Sequence, residues 1–266
     1  MVPGLESGAA PLRVEALGGG TVNSVHRVDT AQGRFVLRLD GPQWGRPGVD
    51  RARELALHRI AAEGGIAPRI VVAQPQRAGL LITQYHEGRL WGAGDYSDLA
   101  QLRELGQCLS ELHRLPPPAI EPFDPLAVGE GYAHLIAPGH GAVVVEAMRR
   151  LEKACVALRE DERVLCVVHG DLWGGNLLQG KRLWLLDWEY AQVTDPLMDV
   201  ACLLAYYPQV EPHAAALLAA TGFDARRDRE ALLWRVEIYR TLTWLWRLAR
   251  GEDVSRAGQQ PAAPAN

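Results

Sequence analysis

The chain has 266 residues, 48% of them hydrophobic and 23% charged, which suits one large domain or two small lobes around a cleft and excludes a disordered or fibrous protein. A formal net charge of −4 gives no general attraction to nucleic acid or to an anionic membrane surface. No apolar run approaches the ~18 residues of a membrane span, no secretion signal opens the chain, and Cys108, Cys155, Cys166 and Cys202 form no CxxC pair, so free thiols in a reducing cytoplasm are expected.

The first 12 residues are rich in Gly, Pro and Ala and are expected to be loosely held. Short strands are predicted over Arg13–Leu17, Ser24–Asp29 and Arg34–Leu39, separated by a glycine loop, Gly18-Gly19-Gly20-Thr21-Val22-Asn23, and a turn at Ala31-Gln32-Gly33. Asp50 can cap a helix running to about Glu63, stopped by Gly64-Gly65. Arg69–Ala73 and Gly79–Gln84 read as two more strands, and Tyr85-His86-Glu87-Gly88 breaks the pattern. From Asp98 onward the character is helical. Leu99, Leu102, Leu105, Leu109 and Leu112 keep helical spacing, ended by Pro116-Pro117-Pro118. Further helices are predicted over Val143–Arg159, after Asp195-Pro196, over Pro212–Thr221 and over Arg229–Arg250, with short apolar strands at Val164–Val168 and Trp184–Leu186. The fold class expected is α+β with two unequal lobes: residues 1–87 mostly antiparallel sheet, 88–254 mostly helix, and a disordered tail over 255–266.

The chemistry lies in Val167-Val168-His169-Gly170-Asp171-Leu172-Trp173-Gly174-Gly175-Asn176. An apolar strand runs into His-Gly-Asp, Asn follows the Asp by five positions, and a second apolar strand ends in Asp187. In a kinase catalytic loop an Asp orients the substrate hydroxyl and accepts its proton. An Asn five residues on and an Asp past the next strand bind the metal. The spacing serves one geometric need: base and metal ligands must converge on one γ-phosphate from two adjacent loops. Asp171 is therefore the candidate base, and Asn176 and Asp187 the candidate metal ligands. The bland alternative is a polar loop using Asp171 and Asn176 for local hydrogen bonds.

His169-Gly-Asp171 with Asn176, followed by Leu185-Leu186-Asp187-Trp188-Glu189-Tyr190, resembles the aminoglycoside phosphotransferase/choline kinase superfamily. The Asp-Trp-Glu-Tyr-Ala wording is similar to thiamine and choline kinases. Gly170-Asp171-Leu172-Trp173-Gly174-Gly175-Asn176 also resembles fructosamine kinases, although Trp188 stands where that family usually has proline. The resemblance spans about Leu17 to Arg250. It implies the two-lobed protein-kinase-like fold, ATP and Mg²⁺ as cofactors, and a small-molecule acceptor, with no nucleic-acid or membrane partner.

The resemblance also implies an N-terminal nucleotide clamp. Gly19, Gly20 and Asn23 would cover the ATP phosphates. The third strand should carry a basic residue, normally Lys, but lysine occurs only at Lys153 and Lys181, and Arg38 fills the position. Arg keeps the charge and adds a fork suited to phosphate. Glu54 is its expected helical partner, the alternative being a local pair with Arg51 or His58. The adenine would meet the backbone near Gln84, Tyr85 and His86. Asp199 is expected to brace the catalytic loop. Trp173, Glu189, Tyr239 and Trp246 are the candidates for the acceptor side. Tyr239 and Trp246 share a helix face, whereas Trp244 and Trp246 cannot both face one pocket. An aromatic face on the last helix and the carboxylate of Glu189 suit an acceptor with one cationic or aromatic head. Arg235, Arg240, Arg247 and Arg250 on that helix, against only Glu230 and Glu237, argue against a polycationic aminoglycoside and leave a fructosamine as the alternative acceptor. A nucleotide-binding pseudokinase is the non-enzyme alternative; loss of the base or metal ligands would mark it, and Asp171, Asn176 and Asp187 are all present.

Overall fold

The computed structural model describes residues 11–18, 23–41, 48–77 and 79–252. The first lobe is a five-stranded antiparallel sheet with spatial order β1-β2-β3-β5-β4. Its strands are β1 (Arg13–Ala16), β2 (Ser24–Thr30), β3 (Gly33–Leu39), β4 (Ile70–Gln74) and β5 (Leu80–Gln84). Between β3 and β4 lies α1 (Arg51–Glu63). Asp50 caps it by accepting from the backbone N–H groups of Ala52 (2.8 Å) and Arg53 (3.2 Å). The apolar positions Leu57 and Ala61 turn inward with Glu54 and His58, so α1 buries a charged residue along with its apolar face.

The chain then turns into β6 (Arg89–Leu90), which pairs not with the first sheet but with β8 (Leu177–Gln179) and through it β9 (Leu183–Leu185). The helices are α2 (Leu99–His113), α3 (Pro125–Leu135), α4 (Gly141–Ala157), α5 (Leu197–Tyr206), α6 (Ala214–Thr221) and α7 (Arg229–Ala249). A second ribbon pairs β7 (Cys166–Val168) with β10 (Gln192–Thr194). Leu102, Leu105, Leu109 and Leu112 of α2 are fully buried and join β7, β9, α5 and α6 in the main core, while Leu99 at the helix start is half-buried. α7 packs along α3, α4 and α5, so its length forms one wall of the second lobe.

The helix α3 carries no expectation from periodicity. Its signal was nevertheless present: Asp124-Pro125 places an N-cap side chain before a first-turn proline, the same pattern that predicts a helix after Asp195-Pro196. At α5 itself the helix begins at Leu197, with Asp195 Oδ1 accepting from its N–H at 2.8 Å. Trp188 is fully buried between the lobes. Its ring stacks on His58 of α1 (centroids 6.0 Å apart) and meets His169 edge-on at 4.8 Å. All four cysteines are free thiols. Among the described residues no helix is long and apolar enough to cross a membrane.

Candidate active site

β7 delivers His169, Gly170 and Asp171 to the cleft, and the loop is pinned from several sides. Asp199, in the first turn of α5, accepts from the N–H groups of His169 (3.2 Å) and Gly170 (2.9 Å), and His113 of α2 meets it at 3.0 Å. His169 Nε2 donates to Leu186 O (2.8 Å), which leaves Nδ1 to accept from Asp171 N–H (3.2 Å). Burial lowers the His169 pKa, so the ring is neutral, as this pairing needs. Leu186 N–H in turn donates to Asn176 O at 2.8 Å, tying the loop of Asp171 and Asn176 to the strand that ends at Asp187. Tyr96 donates to Leu172 O (3.1 Å) and stacks on Tyr207, whose hydroxyl accepts from Gly174 N–H (3.3 Å).

Two glycines of this loop have specific reasons. Gly170 has φ +73, and a Cβ there would come within 2.8 Å of Tyr190 O. At Gly175 a Cβ would run into the Trp173 ring. Asp187 is the one non-glycine residue at positive φ among those described, with φ 54. A side chain held in the left-handed region marks a position over-determined by its surroundings, a feature that clusters at functional sites.

Asp171, Asp187 and Glu189 line one cavity. Burial, then the charges of Asp187 and Glu189, push the Asp171 carboxyl well above the usual range, against one hydrogen bond from Asn176 Nδ2 at 2.9 Å. Burial, then Asp187, pushes Glu189 up to about 7. Burial also raises Asp187, with Arg38 opposing it.

Arg38 is buried on β3 and holds Glu54 at 2.6 Å and Asp187 at 2.9 Å. The expected Arg38–Glu54 contact therefore coexists with the local one, because Arg51 also reaches Glu54 at 2.6 Å. Burial opposes ionisation of Glu54, yet the two arginines, Arg38 foremost, hold its pKa below the ordinary range. Arg51 is the residue that motif reading missed. One guanidinium joins Asp40, Glu54 and, at 3.3 Å, Glu189, linking α1 to the strand end. Its helix position made it look like a surface partner, and only the third dimension brings the distant Glu189 to it.

Of the remaining sequence candidates, Gly19 and Gly20 lie outside the described residues. Asn23 donates to Glu189 Oε2 at 3.1 Å and lines the cavity. Gln84 and Tyr85 use their backbone N–H groups within the sheet, toward Arg69 O (2.9 Å) and Arg34 O (3.1 Å), so neither N–H is free for an adenine. The His86 ring stacks on Trp184, 4.0 Å between centroids. Glu189 is not the free carboxylate expected, since its Oε2 is already taken by Asn23 and Arg51.

The cavity, of about 400 Å³, is rich in aromatic rings, among them Trp173, Tyr206, Tyr207, Tyr239 and Trp246. Trp246 donates to Tyr190 OH at 3.1 Å. Of the aromatic residues of α7 only Tyr239 and Trp246 line the cavity: Trp234 packs into a core cluster under Lys153, and Trp244 packs beside Leu245. Arg235 also leaves the basic face. It is buried, pairing with Asp195 and, at 2.7 Å, with Asp161.

The profile of the phosphotransferase enzyme family (APH) matches residues 13–233. The chain belongs to the phosphotransferase enzyme family. It is an ATP-dependent phosphotransferase that acts on hydroxyl groups of small molecules. Its fold is similar to that of a choline/ethanolamine kinase family protein from Mesorhizobium loti, with 26% identity over 96% of this chain and 86% of that one and a TM-score of 0.73. It is similar also to a choline kinase from Streptococcus pneumoniae, at 18% identity over 97% and 90% of the two chains and a TM-score of 0.78. An aminoglycoside phosphotransferase crystallised with AMP-PNP and hygromycin B matches at 16% identity over 93% and 90%, with a TM-score of 0.69.

Proposed function

We propose that the enzyme transfers the γ-phosphoryl group of ATP to a hydroxyl of a small molecule with a single cationic or aromatic head, of the thiamine or choline type. The observation that carries this reading is the placement of Asp171 in an aromatic cavity lined by Trp173, Tyr239 and Trp246, between the two lobes. In this reading the acceptor hydroxyl approaches Asp171, which orients it and takes its proton as the oxygen–phosphorus bond forms. A carboxyl raised well above its ordinary range by burial and neighbouring carboxylates is a stronger base than a free Asp and is suited to accept that proton.

Asn176 and Asp187 would hold Mg²⁺. The donor set is all oxygen, as a hard cation prefers, and among the described residues no group of three or more His, Cys, Asp or Glu forms a metal cage by itself. That scarcity fits Mg²⁺, which is held by one or two protein oxygens together with phosphates and water. When bound, it neutralises charge on the β- and γ-phosphates.

Arg38, held by Glu54, would reach the α- and β-phosphates from β3. Arg38→Ala is expected to raise the apparent KM for ATP much more than that for the acceptor, and Arg38→Lys to rescue part of it, since charge survives without the fork. Steady-state kinetics with each substrate varied in turn checks this. An effect confined to the acceptor KM would place Arg38 elsewhere.

A fructosamine-type acceptor is the second reading, favoured by Arg247 and Arg250 in the cavity lining, where a neutral or anionic sugar adduct would meet positive charge. Purified protein with Mg-ATP against thiamine, choline, ethanolamine, a fructosamine and kanamycin, scored by phosphorylated product, tests both readings. Kanamycin phosphorylated far more efficiently than the others would overturn them.

A further inference from the structure

The strand β10 turns one face to the cavity and the other to the core. Gln192 and Thr194 line the cavity, whereas Val193 between them packs in the main core, which is the two-residue alternation of a strand. Gln192 is only 7% exposed. Its side-chain amide has no hydrogen-bond partner among the described residues, yet neither its oxygen nor its nitrogen is sealed off from open space. For a residue this buried, that open space is the cavity it lines. Buried side-chain amides are ordinarily paired, so an unpaired one facing a cavity marks a place where a ligand's polar group fits. Neighbouring polar groups of the wall are already engaged: Tyr190 accepts from Trp246, Tyr206 is bonded to Thr243, and the Tyr207 hydroxyl accepts from Gly174.

Gln192 stands directly opposite Val168 in the ribbon of β7 and β10. Asp171 follows Val168 by three residues, a span of at most ~11 Å. One small molecule can therefore set a hydroxyl at Asp171 and another group at Gln192. The walls beside the amide are apolar. Val168 belongs to one packed cluster with Met198, Phe123 and Leu242, and all four line the cavity. A flat ring suits these walls, with its faces against the apolar side chains and its edge toward the amide. A polyhydroxylated sugar suits them poorly, because hydroxyls turned to these side chains would go unpaired. A quaternary ammonium neither donates nor accepts a hydrogen bond and would leave the amide unpaired.

We infer that the Gln192 amide recognises the acceptor's head, and that this head is a planar heterocycle with a hydrogen-bond donor and acceptor on its edge, as in an aminopyrimidine. A glutamine amide offers a carbonyl acceptor and an NH2 donor together, so it can hold such an edge at two points. This rests on the kinase reading and narrows its thiamine-or-choline class to the thiamine type. Gln192 is then a specificity-determining residue that takes no part in the transfer.

The test is acceptor kinetics of wild type, Gln192→Met and Gln192→Asn on thiamine, choline and a fructosamine, with the KM for ATP and the melting temperature measured alongside. Met keeps the length of the side chain and removes both hydrogen-bonding groups. Asn keeps the amide and shortens its reach. Thiamine is the expected preferred acceptor of the wild type. Gln192→Met should raise its KM about tenfold, the scale of a polar group left unpaired in a buried site, and Gln192→Asn should raise it less. The KM for ATP should stay unchanged in both. Because the amide has no protein partner to lose, Gln192→Met should melt at or above the wild-type temperature, which a structural role would not allow. Preference for choline or the fructosamine would overturn the inference while leaving the kinase reading standing, as would a thiamine KM within twofold of wild type in Gln192→Met. A lower melting temperature with both KM values raised would make Gln192 structural instead. No phosphorylation of any acceptor by the wild type would overturn both readings.

Discussion

Replacing Asp171 by Asn is expected to lower kcat by roughly 10²–10⁴, the range of a lost general base, and to leave the fold at least as stable. The first half follows from position. Asp171 is the cavity carboxylate at the end of β7, held by backbone and side-chain contacts that Asn can largely retain, including that with Asn176. The second half follows from charge. The folded chain raises this carboxyl well above its ordinary value of 3.8, through burial first and then through Asp187 and Glu189. A group that binds its proton more tightly when folded contributes stability at low pH, and that contribution is lost as pH rises through the raised value. Above the ordinary carboxylate range, ionisation of this group therefore opposes folding, and the neutral amide carries no such cost. Melting temperatures in metal-free, nucleotide-free buffer should show the variant equal to or above wild type at pH 7, with the gap closing toward pH 4. Near-normal turnover in the variant would remove Asp171 from the chemistry. A large fall in melting temperature would make its role structural.

The candidate catalytic loop was legible in sequence because the pattern that marks it is local. His169 to Asn176 and the strand ending at Asp187 are short segments whose spacing alone brings base and metal-ligand types together. Arg38 and Glu54 were expected from the resemblance to kinases, which puts a basic residue on the third strand and a carboxylate on the helix after it. What sequence could not show depends on long-range geometry. Arg51 reaches Glu189 across 138 positions, and Asn23 reaches it across 166. These contacts turn the supposed acceptor carboxylate into a link between the lobes. The charges of α7 were legible as residue types but not as directions: Arg235 turns inward to Asp195, whereas Arg247 and Arg250 face the cavity. Helical periodicity places residues on faces, and only the packing of α3, α4 and α5 around α7 decides which face is the wall of a site.

Beside the site the lobes meet through charge. Arg38 and Arg51 from the first lobe are set against Asp187 and Glu189 from the second, with Glu54 between them. Ion pairs of this kind, away from bulk water, are costly to break singly, because the partner is left as an unpaired buried charge. A substrate phosphate entering this set would offer the arginines a second anion, so in the proposed reading nucleotide binding and the alignment of Asp187 would be coupled through Arg38.

Asp187 is where that coupling can be read most directly. Asp187→Asn is expected to reduce turnover by on the order of 10³ or more, the scale of several kcal/mol of charge stabilisation at the reacting phosphoryl group. Asn is the informative replacement because it tolerates the left-handed backbone that φ 54 imposes and differs from Asp only in charge and one donor group. Calorimetry should show Mg-ATP bound more weakly than by wild type. ATP with the metal chelated should bind equally well or better, since one anion facing the phosphates has gone. Asp187→Ala should lose turnover to the same extent but also lose stability, by about 1–2 kcal/mol relative to Asn, because a Cβ without a polar side chain is disfavoured in this conformation. The two variants therefore separate the metal's need for the carboxylate from the backbone's need for a residue at ease there. Unchanged Mg-ATP affinity and metal dependence in Asp187→Asn would show that the carboxylate serves Arg38 alone, and the metal would then have to be held by other oxygens of the loop.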